Sequence, residues 1–326
     1  MTEREPPAQG SQPSEEVERD DTDLRVGRWP IREVLGGPVV DGRPAGKPPA
    51  RWRRRVQRLL VSKGEREEAE LERLLAQQPA VSRANVAAVI SPKGGVGKTT
   101  SAFVVGSLLA DRLRLRVIAV DANPDFGTLA ALAPDRLRSS RSLADLLTDI
   151  ERIETAAQLR AYVSALPSGL HLLGAPADAE VMARLGPDAY GELLALLATF
   201  YELVLLDLGT GVAGPLAQFA IARADQVVLV TTPEWVTSSA VVAALEHVEH
   251  ERTTVACNKF HARGPADLSE LERRLRARRL HRSVAIPYDD QLAAMLDSGT
   301  YQLDALERTS RVAIKRLGLA VAEQLA

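Results

Sequence analysis

The chain predicts a three-layer α/β fold, a mostly parallel sheet with helices on both faces, and three observations point to it. From Asn85 onward, near-continuous Val, Ile and Leu runs recur: NVAAVIS (85–91), RVIAVDA (116–122), LHLLGAP (170–176), ELVLLDL (202–208), QVVLVTT (226–232), TTVACNK (253–259) and SVAIP (283–287). Runs of this kind suit strands buried on both faces, as parallel strands are. Amphipathic stretches such as TTSAFVVGSLLADRL (99–113) and TSSAVVAALEHVEHE (237–251) lie between them, long enough for crossover helices. The first strand also passes through a glycine-rich turn straight into the first such stretch. There is no internal repeat, so one domain over 85–326 is expected.

What precedes that domain has a different composition. Residues 1–50 hold eight of the 19 prolines and six glycines, and residues 1–24 carry eight acids against two arginines. Such a segment buries too little apolar surface to offset its ordering entropy, so a disordered acidic, Pro-rich arm is expected. Within it RWPIREVLGGPVV (28–40) is more apolar, and Trp29 either packs loosely on the domain or docks a partner. Residues 51–80 read as a basic amphipathic helical segment, with Trp52, Val56, Leu59 and Leu60 on one face and Arg51, Arg53, Arg54, Arg55 and Arg58 around the rest. Two arrangements fit. The stripe packs on the main domain, or residues 51–63 make a peripheral contact with an anionic membrane or nucleic acid.

Composition excludes several classes. At 45% hydrophobic and 26% charged, the chain is ordinary globular protein. Cys257 is the single cysteine, which removes a disulfide framework, CxxC metal sites and cluster-carrying reductases, and suits a reducing, cytoplasmic setting. MTEREPPAQG has no apolar core of a secretory signal, and no uncharged apolar run reaches the roughly 18 residues of a membrane span.

The stretch SPKGGVGKTT (91–100) carries the chemistry. Its strand–glycine loop–helix setting lets backbone N–H groups of Gly94, Gly95, Val96 and Gly97 face an anion, reinforced by the helix N-terminus. Lys98 would reach the β- and γ-phosphates, and Thr99 would offer its hydroxyl to Mg²⁺ beside Thr100. Asp121 and Asp207 end strand-like runs, where parallel sheets place metal-binding carboxylates. The glycines of LGTG after Asp207 let backbone approach a γ-phosphate.

KGGVGKTT resembles the deviant Walker A motif of the MinD/ParA family of P-loop ATPases. VIAVDANPD is similar to that family's switch I, YELVLLDLGTG to its switch II, and ACNK and IPYD to its base-contacting strand ends. The likeness spans roughly 85–326 and implies a three-layer P-loop NTPase fold, ATP and Mg²⁺ as cofactors, and a homodimer formed on ATP binding. It implies that Lys93 crosses to the partner's phosphates, that Thr99, Asp121 and Asp207 hold the metal, and that Asn258 and Pro287 meet adenine. DANPDFGTL followed by SLADLL is most similar to MinD-like ATPases of actinobacterial type VII secretion loci.

One position departs from the family pattern. Where switch I usually reads D-x-D-P, this chain has Asp121-Ala122-Asn123-Pro124-Asp125. An amide orients water but cannot take its proton, so ATP binding and dimerisation are expected with slow or partner-stimulated hydrolysis. Asp125 is a substitute two residues on.

LERRLRARRLHRS (271–283) is expected on a helix with Leu268, Leu271 and Leu275 facing the sheet. Its arginines, Arg273, Arg274, Arg276, Arg278, Arg279 and Arg282, make either a solvated face or a sequence-independent DNA contact. The resulting expectations are an ATPase that positions or recruits a cellular complex on nucleoid or membrane, for division, partition or secretion, or an ATP-locked switch that recruits one through its N-terminal arm. The protein cargo or activator is not legible.

Overall fold

The computed structural model describes residues 50–123, 127–261, 268–276 and 278–325, without the side chains of 50–62, 235, 236, 238, 268–270 and 276. The expected arm with Trp29, the apolar stripe from Trp52 to Leu60, Asp125 and the side chains of Leu268 and Arg276 therefore lie outside the described residues.

Eight strands form one sheet: β1 (Asn85–Ser91), β2 (Val117–Ala122), β3 (Ser164–Ala165), β4 (His171–Leu173), β5 (Leu203–Thr210), β6 (Gln226–Thr231), β7 (Thr253–Phe260) and β8 (Arg282–Pro287). Their order is β3-β4-β2-β5-β1-β6-β7-β8, and every pairing except β3 with β4 is parallel. The seven apolar runs all become strands. The antiparallel β3, two residues long, is the addition, too short to leave a periodic signal.

The helices are α1 (Ala50–Ala76), α2 (Lys98–Arg112), α3 (Leu143–Thr148), α4 (Ala156–Leu159), α5 (Ala179–Ala183) and α6 (Pro187–Leu197). They continue with α7 (Pro215–Arg223), α8 (Trp235–Ala244), α9 (Leu268–Arg276), α10 (Asp290–Ser298) and α11 (Arg308–Ala322). Alternate residues of each strand serve opposite layers. Ala87 and Val89 join α1, α2, α10 and α11, while Ala88 and Ile90 join α3, α6, α7 and α9. From the centrally placed β1 the chain crosses to β2 on one side, and β6 lies on the other, which opens a crevice at the C-terminal end of β1.

Two expectations change. The segment at 51–80 is helical to Ala76, but the half shown to pack is the second, acidic one: Leu71 and Leu75 are fully buried in the core with α2 and α11. The packed core thus begins before Asn85. A short leucine stripe flanked by glutamates was eclipsed in the sequence by the arginines ahead of it. The arginine-rich segment 271–283 is also not one helix. α9 stops at Arg276, Arg278 and Arg279 follow it, and Arg282 opens β8, where the burial of Val284 and Ile286 draws the chain into the sheet. Leu271 and Leu275 are buried as expected. Arg282 is paired with Glu323 at 2.7 Å, and Arg278 donates to the Arg274 carbonyl at 2.6 Å.

Candidate phosphate-binding site

Ser91 closes β1 and turns the chain out of the sheet. Its hydroxyl donates to the Lys93 carbonyl at 2.7 Å and accepts the Lys93 N–H at 3.1 Å. Gly95 and Gly97 then take φ of +74° and +97°, the left-handed region open to glycine. Gly97 has a second constraint, because a Cβ there would lie 2.1 Å from Asn258 Nδ2. That amide donates to the Val96 carbonyl at 2.9 Å, and Lys259 Nζ donates to the Gly95 carbonyl at 2.7 Å. Two neighbouring residues at the end of β7 thus grip the back of the loop.

Past Gly97 the chain enters α2 at Lys98, which is only 9% exposed. Burial holds its ammonium below the usual lysine range, against the opposing pull of Asp207. Thr99 Oγ1 donates to Asp207 Oδ2 at 2.6 Å. Asp207 is 2% exposed, and its Oδ1 has no hydrogen-bond partner. Burial pushes its carboxyl up to about 7, opposed by the Thr99 hydrogen bond and the Lys98 charge and reinforced by Asp121.

Asp121 pairs directly with Asp207 across β2 and β5. Its Oδ2 accepts the Leu129 N–H at 3.0 Å and its Oδ1 the Asn123 N–H at 3.3 Å. Burial raises its pKa despite these two bonds. The sequence cast Asp121 as a metal ligand; each of its oxygens accepts one N–H of the following loop and keeps a second lone pair. Thr99, Asp207 and the neighbouring Asp121 are hard oxygen donors of the kind that fits Mg²⁺, and Asp207 has one buried carboxylate oxygen left over. No cluster of three or more His, Cys, Asp or Glu stands ready for a metal among the described residues.

Lys93, Gly94 and Gly95 are exposed at the mouth, Val96 is buried, and Thr100 and Asn123 are half-buried. Glu234, at the start of α8, has its carboxyl held below the usual range, first by the Thr232 hydroxyl and more weakly by the Lys93 and Lys259 charges. Pro287 ends β8 opposite Phe260. Just beyond, Tyr288 is 47% exposed and stacks on His261 with ring centroids 4.9 Å apart. The structure therefore brings together Lys93, the loop, Lys98, Thr99, Asp121, Asp207 and Asn258.

Sequence reasoning missed Lys259, Glu234 and the His261–Tyr288 stack. Lys259 stands next to Asn258 in ACNK, so its signal was present. The stack joins residues from two strand ends and has no local pattern.

A glycine loop from a central parallel strand into a helix, a buried lysine and a Thr–Asp pair define a P-loop nucleotide-binding protein. Comparison with known proteins agrees. The family described as "AAA domain" matches residues 84–259. The ESX-1 secretion-associated protein EspI of Mycobacterium tuberculosis is 33% identical over 147 residues, 44% of this chain and 21% of that protein. The chromosome-partitioning ATPase Soj of Thermus thermophilus is 34% identical over 168 residues, 51% of this chain and 61% of that protein. The chain thus spans less than two thirds of either relative. A ParA family ATPase from Chlorobium tepidum shares the fold, with a TM-score of 0.62 and 21% identity over 73% of this chain and 98% of that one. The chain belongs to the MinD/ParA family of P-loop ATPases.

Proposed function

We propose that this protein is an ATP-dependent dimerising switch that positions or recruits a cellular complex, with slow intrinsic hydrolysis. The observation that carries it is the division of labour between two lysines. Lys98 is buried beside Asp207 and serves its own loop, whereas Lys93 is exposed at the mouth. Two triphosphates held face to face need cations between them, and Lys93 supplies one from the opposing loop. Thr99, Asp121 and Asp207 would hold Mg²⁺, which when bound would neutralise charge on the phosphate oxygens. Asp121 holds the loop that presents Asn123, and Asn123 orients water without accepting its proton. Asn258 and Pro287 border the base.

The test is sedimentation with MgATP, together with phosphate release. Wild type should become a dimer, Lys98→Ala should remain a monomer without nucleotide, and Lys93→Ala should bind ATP yet stay monomeric. A Lys93→Ala dimer as tight as wild type, or basal turnover well above ~1 per second, the low end of ordinary enzyme rates, would count against the reading.

The likeness to EspI and the amide at Asn123 support recruitment of a secretion apparatus, and the likeness to Soj supports partition. Retention on duplex DNA at low and moderate salt separates them, since a partition role through Arg273, Arg274, Arg276, Arg278 and Arg279 requires salt-sensitive binding. Arg282 is already paired with Glu323, which weakens that arm. No helix among the described residues is long and apolar enough to cross a membrane, so a membrane contact would be peripheral, through 51–63.

A further inference from the structure

The grip on the back of the loop has a geometric consequence. In a trans peptide the carbonyl and the following N–H point in opposite directions. Asn258 holds the Val96 carbonyl and Lys259 holds the Gly95 carbonyl, both from the β7 side. The next N–H groups, those of Gly97 and Val96, are therefore turned away from β7, toward the concave side where an anion would sit.

We infer that Asn258 and Lys259 form a latch that presets the loop amides for phosphate, with Lys259 a positioning residue rather than a phosphate ligand. Three features support it. Lys259 has φ of +56°, one of two non-glycine residues in the left-handed region among the described residues. A lysine gains nothing locally from that conformation, and such backbone persists where surrounding contacts impose it. The pairing of β7 with β8 is irregular between Cys257 and Phe260, so the strand departs from its register at the point where Lys259 turns toward the loop. Finally, the missing Cβ of Gly97 is what lets Asn258 approach. Strand end and loop are built for each other.

Preset amides cost no reorganisation when the anion arrives, whereas a free loop would lose entropy on binding. The latch acts on the backbone, so it should serve ATP and ADP alike.

The inference rests on the nucleotide reading above, and the experiment separates the two. Amide hydrogen exchange at Val96 and Gly97 is measured in the nucleotide-free full chain, and ATP and ADP affinities are measured by calorimetry with Mg²⁺. The variants are Lys259→Gly, which keeps the left-handed backbone, and Lys259→Arg, which keeps a donor. Lys259→Gly should speed exchange at both amides and weaken ATP and ADP by the same factor, about tenfold for one lost charged hydrogen bond. Lys259→Arg should restore most of both. Unchanged exchange with unchanged affinity would overturn the latch. A loss confined to ATP would also overturn it, since it would make Lys259 a γ-phosphate ligand. If wild type binds no ATP, the nucleotide reading fails, and the exchange measurement still judges the latch.

Discussion

Buried charge is handled in opposite ways at the two ends of α2's layer. Where α1 lies on α11, Lys315 is 3% exposed and touches Glu68 at 2.9 Å and Glu72 at 2.7 Å. Arg311 makes two bonds to Glu68, at 2.8 and 3.1 Å, while Arg308 pairs with Glu65 and Arg316 with Glu67. The Arg311 hydrogen bonds, helped by Lys315, hold the Glu68 carboxyl down at about 2. At the phosphate loop burial prevails instead: Asp207 is pushed up to about 7 and Lys98 is pushed down. In this zipper of ion pairs between α1 and α11, the shifts of Glu68 and Arg311 both favour the charged form. In the loop both shifts favour the neutral form. Charges that complete one another are part of the scaffold, and charges that do not are set for a ligand.

Asp207 offers the largest test of that contrast. Its folded pKa is raised, so between the ordinary carboxylate range and about 7 the folded state holds a proton that the unfolded state lacks. Stability contributed by this group is therefore full at low pH and lost as pH climbs through that window. Asp207→Asn should flatten this slope and stabilise the empty protein at pH 8 by at most about 4 kcal/mol, the equivalent of the shift. Denaturant unfolding at pH 5 and pH 8 checks it, and a variant less stable at pH 8 would break the contrast. Mg²⁺-dependent gain in ATP affinity should vanish in the same variant.

Lys98→Ala comes next. ATP affinity should fall about a hundredfold, the upper range for a charged hydrogen bond, while the melting point of the empty protein does not drop. Calorimetry and thermal unfolding read the two halves. A lower melting point with intact binding would move Lys98 into the scaffold class.

Glu68→Gln is the smaller, opposite case. Its folded pKa is lowered, so its stabilisation is present above the ordinary glutamate range and lost as pH falls toward about 2. The substitution should cost about 1–2 kcal/mol at pH 7 and remove that acid slope, with ATP affinity changed by no more than about twofold. A marked loss of nucleotide binding would show that the zipper is coupled to the loop through α11 and α2.

The phosphate loop was legible because each of its requirements is local. Glycines that supply positive φ, a lysine and threonine at a helix start, and aspartates at strand ends all sit within a few residues of the motifs that announce them. Lys259 was half-legible: the dipeptide Asn258-Lys259 was in view, but its target lies on another strand. The docking of the second half of α1 on α11 was not legible for a related reason. Arg51 to Arg58 dominate that segment's pattern, whereas the glutamates that dock it find their partners on the last helix of the chain.

Sequence alone determined the parallel α/β sheet, the loop and its two lysines, since hydrophobic period and turn chemistry act over short spans of chain. Tertiary structure alone decided which charges are satisfied. Glu68 and Asp207 are both acids beside cations, and their sequence neighbourhoods, a helix face and a strand end, do not say which carboxyl is held down and which is pushed up. Their pKa values part because desolvation and distant partners are properties of the folded surroundings, which only packing brings into being.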